Sequence, residues 1–203
     1  MLKQTLTISA VVALLTVGSV ADNDYRGHGR NSGHHTQQQK GQGYRSNDMN
    51  NSQASSLSLS DTQKRGLTFM LEEEKVARDV YIYLSEKWGA RVFSNISKAE
   101  QRHMNSIERV VKGYNLEVPT TLNEEGIFVD EKLQSMYDEL ITKGVKSLKD
   151  AYEVGVAIEV ADIDDLETLL DDRDIPNGIK EVYSHLLRGS QNHLRAFNRR
   201  LSR

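Results

Sequence analysis

Glu100 and His103, a glutamate and a histidine three residues apart, are the pair in this chain best spaced for chemistry. On a helix, positions three apart project from one face, one turn from each other. One helix can then offer a carboxylate and an imidazole to a metal inside a four-helix bundle. Glu-x-x-His alone arises often by chance, so it gains weight only where other helices bring matching groups to the same depth.

Three other segments do. Leu67, Met70, Ala77, Tyr81, Leu84 and Trp88 advance in steps of three and four, and Glu74 falls on the same stripe. A buried carboxylate must be paired, protonated or bound to a cation. Glu72 and Glu73 lie beside the stripe, although a small drift in register turns Glu73 inward in place of Glu74. Further on, Ala151, Gly155, Leu166 and Leu169 share a face with Glu159 and Asp162, two carboxylates near one level. In the last segment the stripe is Ile179, Val182, Leu186, Ser190, His193, Phe197 and Leu201, with His185 off it and exposed. Mid-helix residues of an antiparallel bundle meet at one height. Four carboxylates and two imidazoles would repel in a dry core unless cations neutralised them. Oxygen-rich ligands with one imidazole per ion suit iron or manganese better than structural zinc, and carboxylates can bridge two such ions.

Each group also has a plainer reading. Ser97-Lys98-Ala99-Glu100 is a capping-box pattern that would spend Glu100 at a helix start. A single histidine on a core face can be a hydrogen-bonded core residue. Asp162, Asp164, Asp165 and Glu167 form an acidic run of the kind that is mostly solvated face. The six groups could instead pair with Arg78, Arg102 or Arg195, in a secreted helical module that binds or sequesters metal without catalysis.

The elements that must position these residues are helices. Two prolines in 203 residues favour long helices over strands and turns. Ser60 and Gln63 form a capping box that opens the first helix, and Gly89 closes it. The second helix runs from about Ser94 to Tyr114, before Pro119. Residues 115–129 form a long crossover, and a short amphipathic helix from Asp130 to Lys143 follows, with Leu133, Met136, Tyr137, Leu140 and Ile141 inward and no sign of chemistry. The third long helix starts at Ser147 and runs to about Leu170. The fourth opens after Pro176-Asn177-Gly178. The expected fold is all-α: a ferritin-like four-helix bundle over residues 59–203, with a long crossover and one short extra helix.

Composition narrows the functions. A formal net charge of -3 gives no basic field for nucleic acid. With no cysteine, disulfides, thiol nucleophiles, iron–sulfur clusters and rubredoxin-type iron are excluded. Residues 1–21 read as a signal peptide, with Lys3, an apolar run and Ser19-Val20-Ala21 as the cleavage pattern; the other reading is an uncleaved anchor. Cleavage implies a secreted or periplasmic protein with no membrane span left. Residues 22–58 are Gly, His, Gln, Asn and Ser, which predicts a disordered linker. His28, His34 and His35 lie there, as a loose metal trap or simply as part of a solvated tether.

Glu74-Lys75-Val76-Ala77-Arg78, Ala99-Glu100-Gln101-Arg102-His103-Met104, Ile158-Glu159-Val160-Ala161-Asp162 and Gly189-Ser190-Gln191-Asn192-His193-Leu194-Arg195-Ala196-Phe197 together resemble a ferritin-like family of uncharacterised domains, distantly similar to rubrerythrin and other di-iron carboxylate proteins. The resemblance spans residues 59–201. It implies metal ligands at Glu74, Glu100, His103, Glu159, Asp162 and His193, and two iron ions, with manganese as the alternative. It also implies reaction with peroxide or dioxygen, or oxidation of Fe(II). The chain departs from the rubrerythrin pattern where Asp162 replaces a Glu and Ser190 stands in place of another; either Asp162 supplies the missing carboxylate or one metal position is weak. Tyr81, Tyr114 and Tyr183 are candidates to support the ligands, or else to pack the core. Electrons must come from an external donor, and such a bundle can pair as a homodimer.

Overall fold

Capping chemistry sets the helix ends in the computed structural model, which describes residues 59–203. The expected signal peptide and the polar stretch with His28, His34 and His35 lie outside the described residues. Five helices make up the secondary structure of this region, and no strand occurs among the described residues. Helix α1 (Asp61–Trp88) starts on the Ser60–Gln63 capping box and ends at Gly89, whose left-handed φ of 62° needs no Cβ. Helix α2 (Arg91–Gly113) follows after two residues, three residues earlier than the sequence suggests and with no side-chain cap. Asp130 caps α3 (Glu131–Gly144) by accepting from the Lys132 and Leu133 amides, and Ser147 caps α4 (Leu148–Leu170) by accepting from Asp150. Helix α5 (Asn177–Leu201) follows Pro176. None of these helices is long and apolar enough to cross a membrane.

Residue pairs fix the helix directions. Glu74 faces His103 and Tyr81 faces Phe93, so α1 and α2 are antiparallel. Gly66 abuts Leu169 while Tyr81 reaches Gly155, which makes α4 antiparallel to α1. Asp162 with Ser190, and Gly155 with Phe197, set α5 antiparallel to α4. Glu100 with His193, and His103 with His185, do the same for α2 and α5. The order is therefore up, down, down, up, and the parallel α2 and α4 need a crossover between them. Helix α3 sits against α1 and α4, where Gly144 lies tight on Leu84 and accepts from the Trp88 indole at 3.0 Å.

A buried charge cluster on α1 anchors the crossover. Asp79 is fully buried and holds Lys75 at 2.6 Å and Arg78 at 2.7 Å. Lys75 also donates to the Glu124 and Ile127 carbonyls at 2.8 and 3.1 Å and lies 3.8 Å over the Phe128 ring. Arg78 donates to the Leu122 carbonyl, and the Gly126 amide returns to Asp79 at 3.0 Å. Both cations and the carboxylate are partnered, as low-dielectric burial demands.

The apolar side chains gather in two clusters. One contains Val80, Tyr81, Leu84, Phe93, Leu140 and Phe197. The other contains Leu67, Met70, Met104, Ile107, Leu166 and Leu186. Each fully buried side chain of this size contributes roughly 1.5–3 kcal/mol. Between the clusters lies a polar layer, contributed by all four long helices.

Candidate metal centre

That layer contains Glu74 from α1, Glu100 and His103 from α2, Glu159 and Asp162 from α4, and Ser190 and His193 from α5. Six of the seven are buried; the His193 side chain retains 12% exposure. Because α2 begins at Arg91, Glu100 sits in its third turn and cannot cap it. Ser97, the other half of the supposed box, instead bonds back to the Ser94 carbonyl at 3.3 Å.

Glu100 is the centre of the geometry. Its Oε2 lies 2.8 Å from His103 Nδ1, and its Oε1 lies 2.8 Å from His193 Nδ1. Glu74 Oε2 approaches His103 Nδ1 at 3.4 Å, and Glu159 Oε2 approaches His193 Nδ1 at 3.6 Å. Two triads result, Glu74–Glu100–His103 and Glu100–Glu159–His193, each with its ligand atoms within 4.8 Å of one another. The two imidazoles stack at 5.6 Å between centroids, with 25° between their planes.

These separations leave atoms close enough to share an ion. Ligand atoms about 2.1 Å from one metal and at right angles lie about 3.0 Å apart. The short contacts are also not well-formed hydrogen bonds: both Nδ1 atoms, Glu100 Oε1 and Glu74 Oε1 are buried without an acceptably directed partner. Charge attraction needs no direction, whereas a hydrogen bond does. The residues present therefore suit two cations that share the Glu100 carboxylate.

The surrounding residues hold the ligands in place. Tyr81 donates to Glu159 Oε1 at 2.6 Å, which leaves Oε2 for the triad. Of the three candidate tyrosines, Tyr81 has this role, while Tyr114 and Tyr183 pack in the second apolar cluster. Gly189 leaves room for His103: a Cβ there would stand 2.4 Å from Cε1 and 2.6 Å from Nε2. Asp162 belongs to neither triad. Ser190 donates to its Oδ2, and its Oδ1 is buried without a partner. Glu73 is not in either triad, although its Oε2 is buried beside them.

The electrostatics describe a site full of protons when metal is absent. Burial pushes Glu159 up to about 8, and the Glu100 charge adds to it. Burial also takes Asp162 to about 7 against the opposing Ser190 hydrogen bond, and raises Glu74 well above the carboxylate range. Burial opposes the charge on Glu100 too, but the two imidazoles outweigh it and hold the group at about 2. For His103 and His193 burial favours the neutral ring, yet the carboxylates prevail and raise them to about 11 and 10. Four carboxylates against two imidazolium rings leave 4 − 2, a deficit of two positive charges, if every group is ionised. Two divalent cations with neutral imidazoles bring the sum to zero.

No arginine fills that deficit. Arg78 is committed to Asp79, Gln101 and the crossover; Arg102 is exposed, and Arg195 turns to Asn192. The salt-bridged alternative set out from sequence is therefore not the arrangement the side chains adopt. His185, off the stripe, is exposed as expected, and its ring meets His103 edge-on at 6.1 Å. Sequence reasoning missed Gly189, although a glycine four residues before an inward histidine marks a close approach. It found α3 with Met136 and Leu140 inward but gave it no part in the site, whereas these two side chains help line a small cavity beside the carboxylates.

The chain resembles a protein already known. It is 43% identical over 144 residues to the uncharacterized protein MJ0754 of Methanocaldococcus jannaschii, covering 71% of this chain and 77% of that one. The crystal structure of hypothetical protein MJ0754 from Methanococcus jannaschii aligns with a TM-score of 0.69, over 71% of this chain and 82% of that chain. Residues 63–203 match the model of an uncharacterized protein domain, DUF2202, and the chain belongs to that family.

Proposed function

We propose that this domain is a two-metal carboxylate protein of ferritin-like architecture, and that its ions are iron. The single observation that carries the reading is the position of Glu100, with one oxygen 2.8 Å from each of two imidazole nitrogens. The up-down-down-up order with one long crossover supports the ferritin-like assignment. Carboxylate-rich ligation with one imidazole per ion supports iron, with manganese second, over structural zinc.

His103 and His193 would each hold one ion. Glu74 and Glu159 would complete the two ligand sets, Glu100 would serve both, and Tyr81 orients Glu159. Two Fe(II) ions held there would supply two electrons, which with two protons take peroxide to two waters or dioxygen to hydrogen peroxide. A cysteine-free chain requires an external electron donor for turnover. The leader-like residues 1–21 support a secreted or periplasmic location.

Metal analysis by plasma emission tests the centre. The purified protein should hold two iron or manganese ions per chain, and Glu100→Ala should hold none. A wild type that neither contains nor takes up metal overturns the proposal. Fe(II) oxidation by peroxide or dioxygen then tests the chemistry, and full occupancy without oxidation reduces the function to metal sequestration.

A further inference from the structure

We infer that the face formed by α2 and α5 is the docking site of the external electron donor, and that this donor is an acidic one-electron carrier protein. The partner's identity rests on the two-metal reading, and the docking face rests on exposure and charge. Among the triad ligands the imidazoles lie nearest the surface. The His193 and His103 side chains are 12% and 7% exposed, against 2–3% for Glu74, Glu100 and Glu159. Helix α3 covers the opposite side of the bundle, between α1 and α4. Between α2 and α5 a groove of about 370 Å³ is open, with Val110 and Leu186 among its lining residues. His185 lines it too, and the exposed His185 ring meets that of His103 edge-on at 6.1 Å. His185 therefore links the groove to a candidate ligand.

Charge selects the partner. Arg102 and Arg109 on α2, and Arg188 and Arg195 on α5, are all exposed. With Ser106 on α2, and with His185 and Asn192 on α5, they advance in steps of three and four, which sets one stripe on each helix beside the groove. Glu181 is the one carboxylate among the groove's lining residues. Helix α4 has the reverse character and exposes Asp164 and Glu167. The net charge of -3 is thus unevenly spread, and an acidic partner is drawn to the α2–α5 face and repelled from α4. Guanidinium groups suit such a surface, because they are weakly hydrated and pair with carboxylates in a fixed fork. Each docked carrier gives up one electron and leaves oxidised, so two dockings return a pair of Fe(III) ions to Fe(II).

Two probes provide the test. Hexacyanochromate(III), a redox-inert trianion, broadens the amide signals that it approaches. In nitrogen-15 spectra of the metal-free protein it should broaden Ser106, Arg109, His185 and Gly189 ahead of every residue of α3 and α4. Arg109→Glu with Arg188→Glu should abolish that preference, and Arg109→Gln with Arg188→Gln serves if the reversal fails to fold. Broadening centred elsewhere, or spread evenly, overturns the docking face. Reduced flavodoxin, an acidic one-electron carrier, is the second probe, applied to iron-loaded protein oxidised beforehand. Its rate relative to that of a neutral hydroquinone should fall about tenfold in the reversed variant, and high salt should erase the difference. A ratio that the variant leaves unchanged overturns the carrier. Sedimentation that shows copies pairing through Arg109 and Arg188 overturns it in favour of a second copy of this chain. Broadening at the groove beside iron that neither reductant reduces overturns instead the redox reading, and with it the partner's identity.

Discussion

Ser190 donates its hydroxyl proton to Asp162 across the α4–α5 interface, three residues before His193 on the same helix. The hydroxyl also reaches the Leu186 carbonyl at 3.1 Å, so it ties a ligand-like side chain to the α5 backbone. Ser190→Ala leaves both Asp162 oxygens without partners. Losing one partner of a buried polar group costs about 1–3 kcal/mol. Urea denaturation of the metal-free variant should show a loss in that range, and a midpoint equal to wild type would mean that Asp162 does not depend on Ser190.

The two triads share Glu100 and nothing else, which makes their metals separable. His103→Ala should leave the Glu159–His193 position filled, and His193→Ala should leave the Glu74–His103 position filled. Each variant is expected to retain one ion of two. Complete loss in either variant, measured by plasma emission, would show that the positions fill only as a pair.

Much of this was legible from apolar spacing. The four stripes brought Glu74, Glu100, His103, Glu159 and His193 to one level because helical period and antiparallel packing fix depth. Asp162 was legible only as an inward group. Its Ser190 tie depends on side-chain rotamers, and no spacing rule carries those. The start of α2 was misplaced because Arg91 enters the helix directly after the Gly89 turn, without a capping residue to announce it. The Lys75–Asp79–Arg78 cluster was hidden as well. Charged residues one turn apart normally read as solvated face, and only the returning crossover buries these.

Gly189→Ala should act on metal binding out of proportion to its size. The added methyl meets His103 at 2.4 Å, so the imidazole must leave the position in which its Nδ1 faces Glu100. Alanine favours a helix over glycine by about 1 kcal/mol, which offsets part of an overpacking cost of about 1–3 kcal/mol. Stability should therefore change little, while the ion held by His103 is lost. Gly113→Ala, which meets nothing within 4 Å, is the control and should retain both ions.

Asp79→Asn removes the carboxylate between two buried cations. Breaking a buried pair costs about 3–5 kcal/mol, because the stranded charges remain in the interior. Thermal melting should show that loss whether or not metal is bound. Lys75→Met together with Asp79→Leu should recover part of it, since an apolar pair leaves fewer charges unpaired; a double variant no better than Asp79→Asn would argue against this account.

Metal-free and metal-loaded protein should diverge in stability as pH rises. In the metal-free fold Glu159 and Asp162 are raised to about 8 and about 7, and His103 and His193 to about 11 and about 10. Folding therefore takes up protons at all four groups. A raised group contributes its full stability below its unfolded value and loses it as pH climbs through its folded value. The carboxylates lose theirs from roughly pH 4 to 8, and the imidazoles lose theirs from roughly pH 6.5 upward. Glu100, held at about 2, has the opposite sign and loses its contribution only as pH falls below the ordinary carboxylate range. Metal-free stability should thus decline from pH 5 to pH 8. Metal displaces the same protons, so its affinity should rise over that interval. The gap in melting temperature between loaded and stripped protein is expected to widen from pH 5 to pH 8, and a constant gap would mean that the ions and these protons do not share ligands.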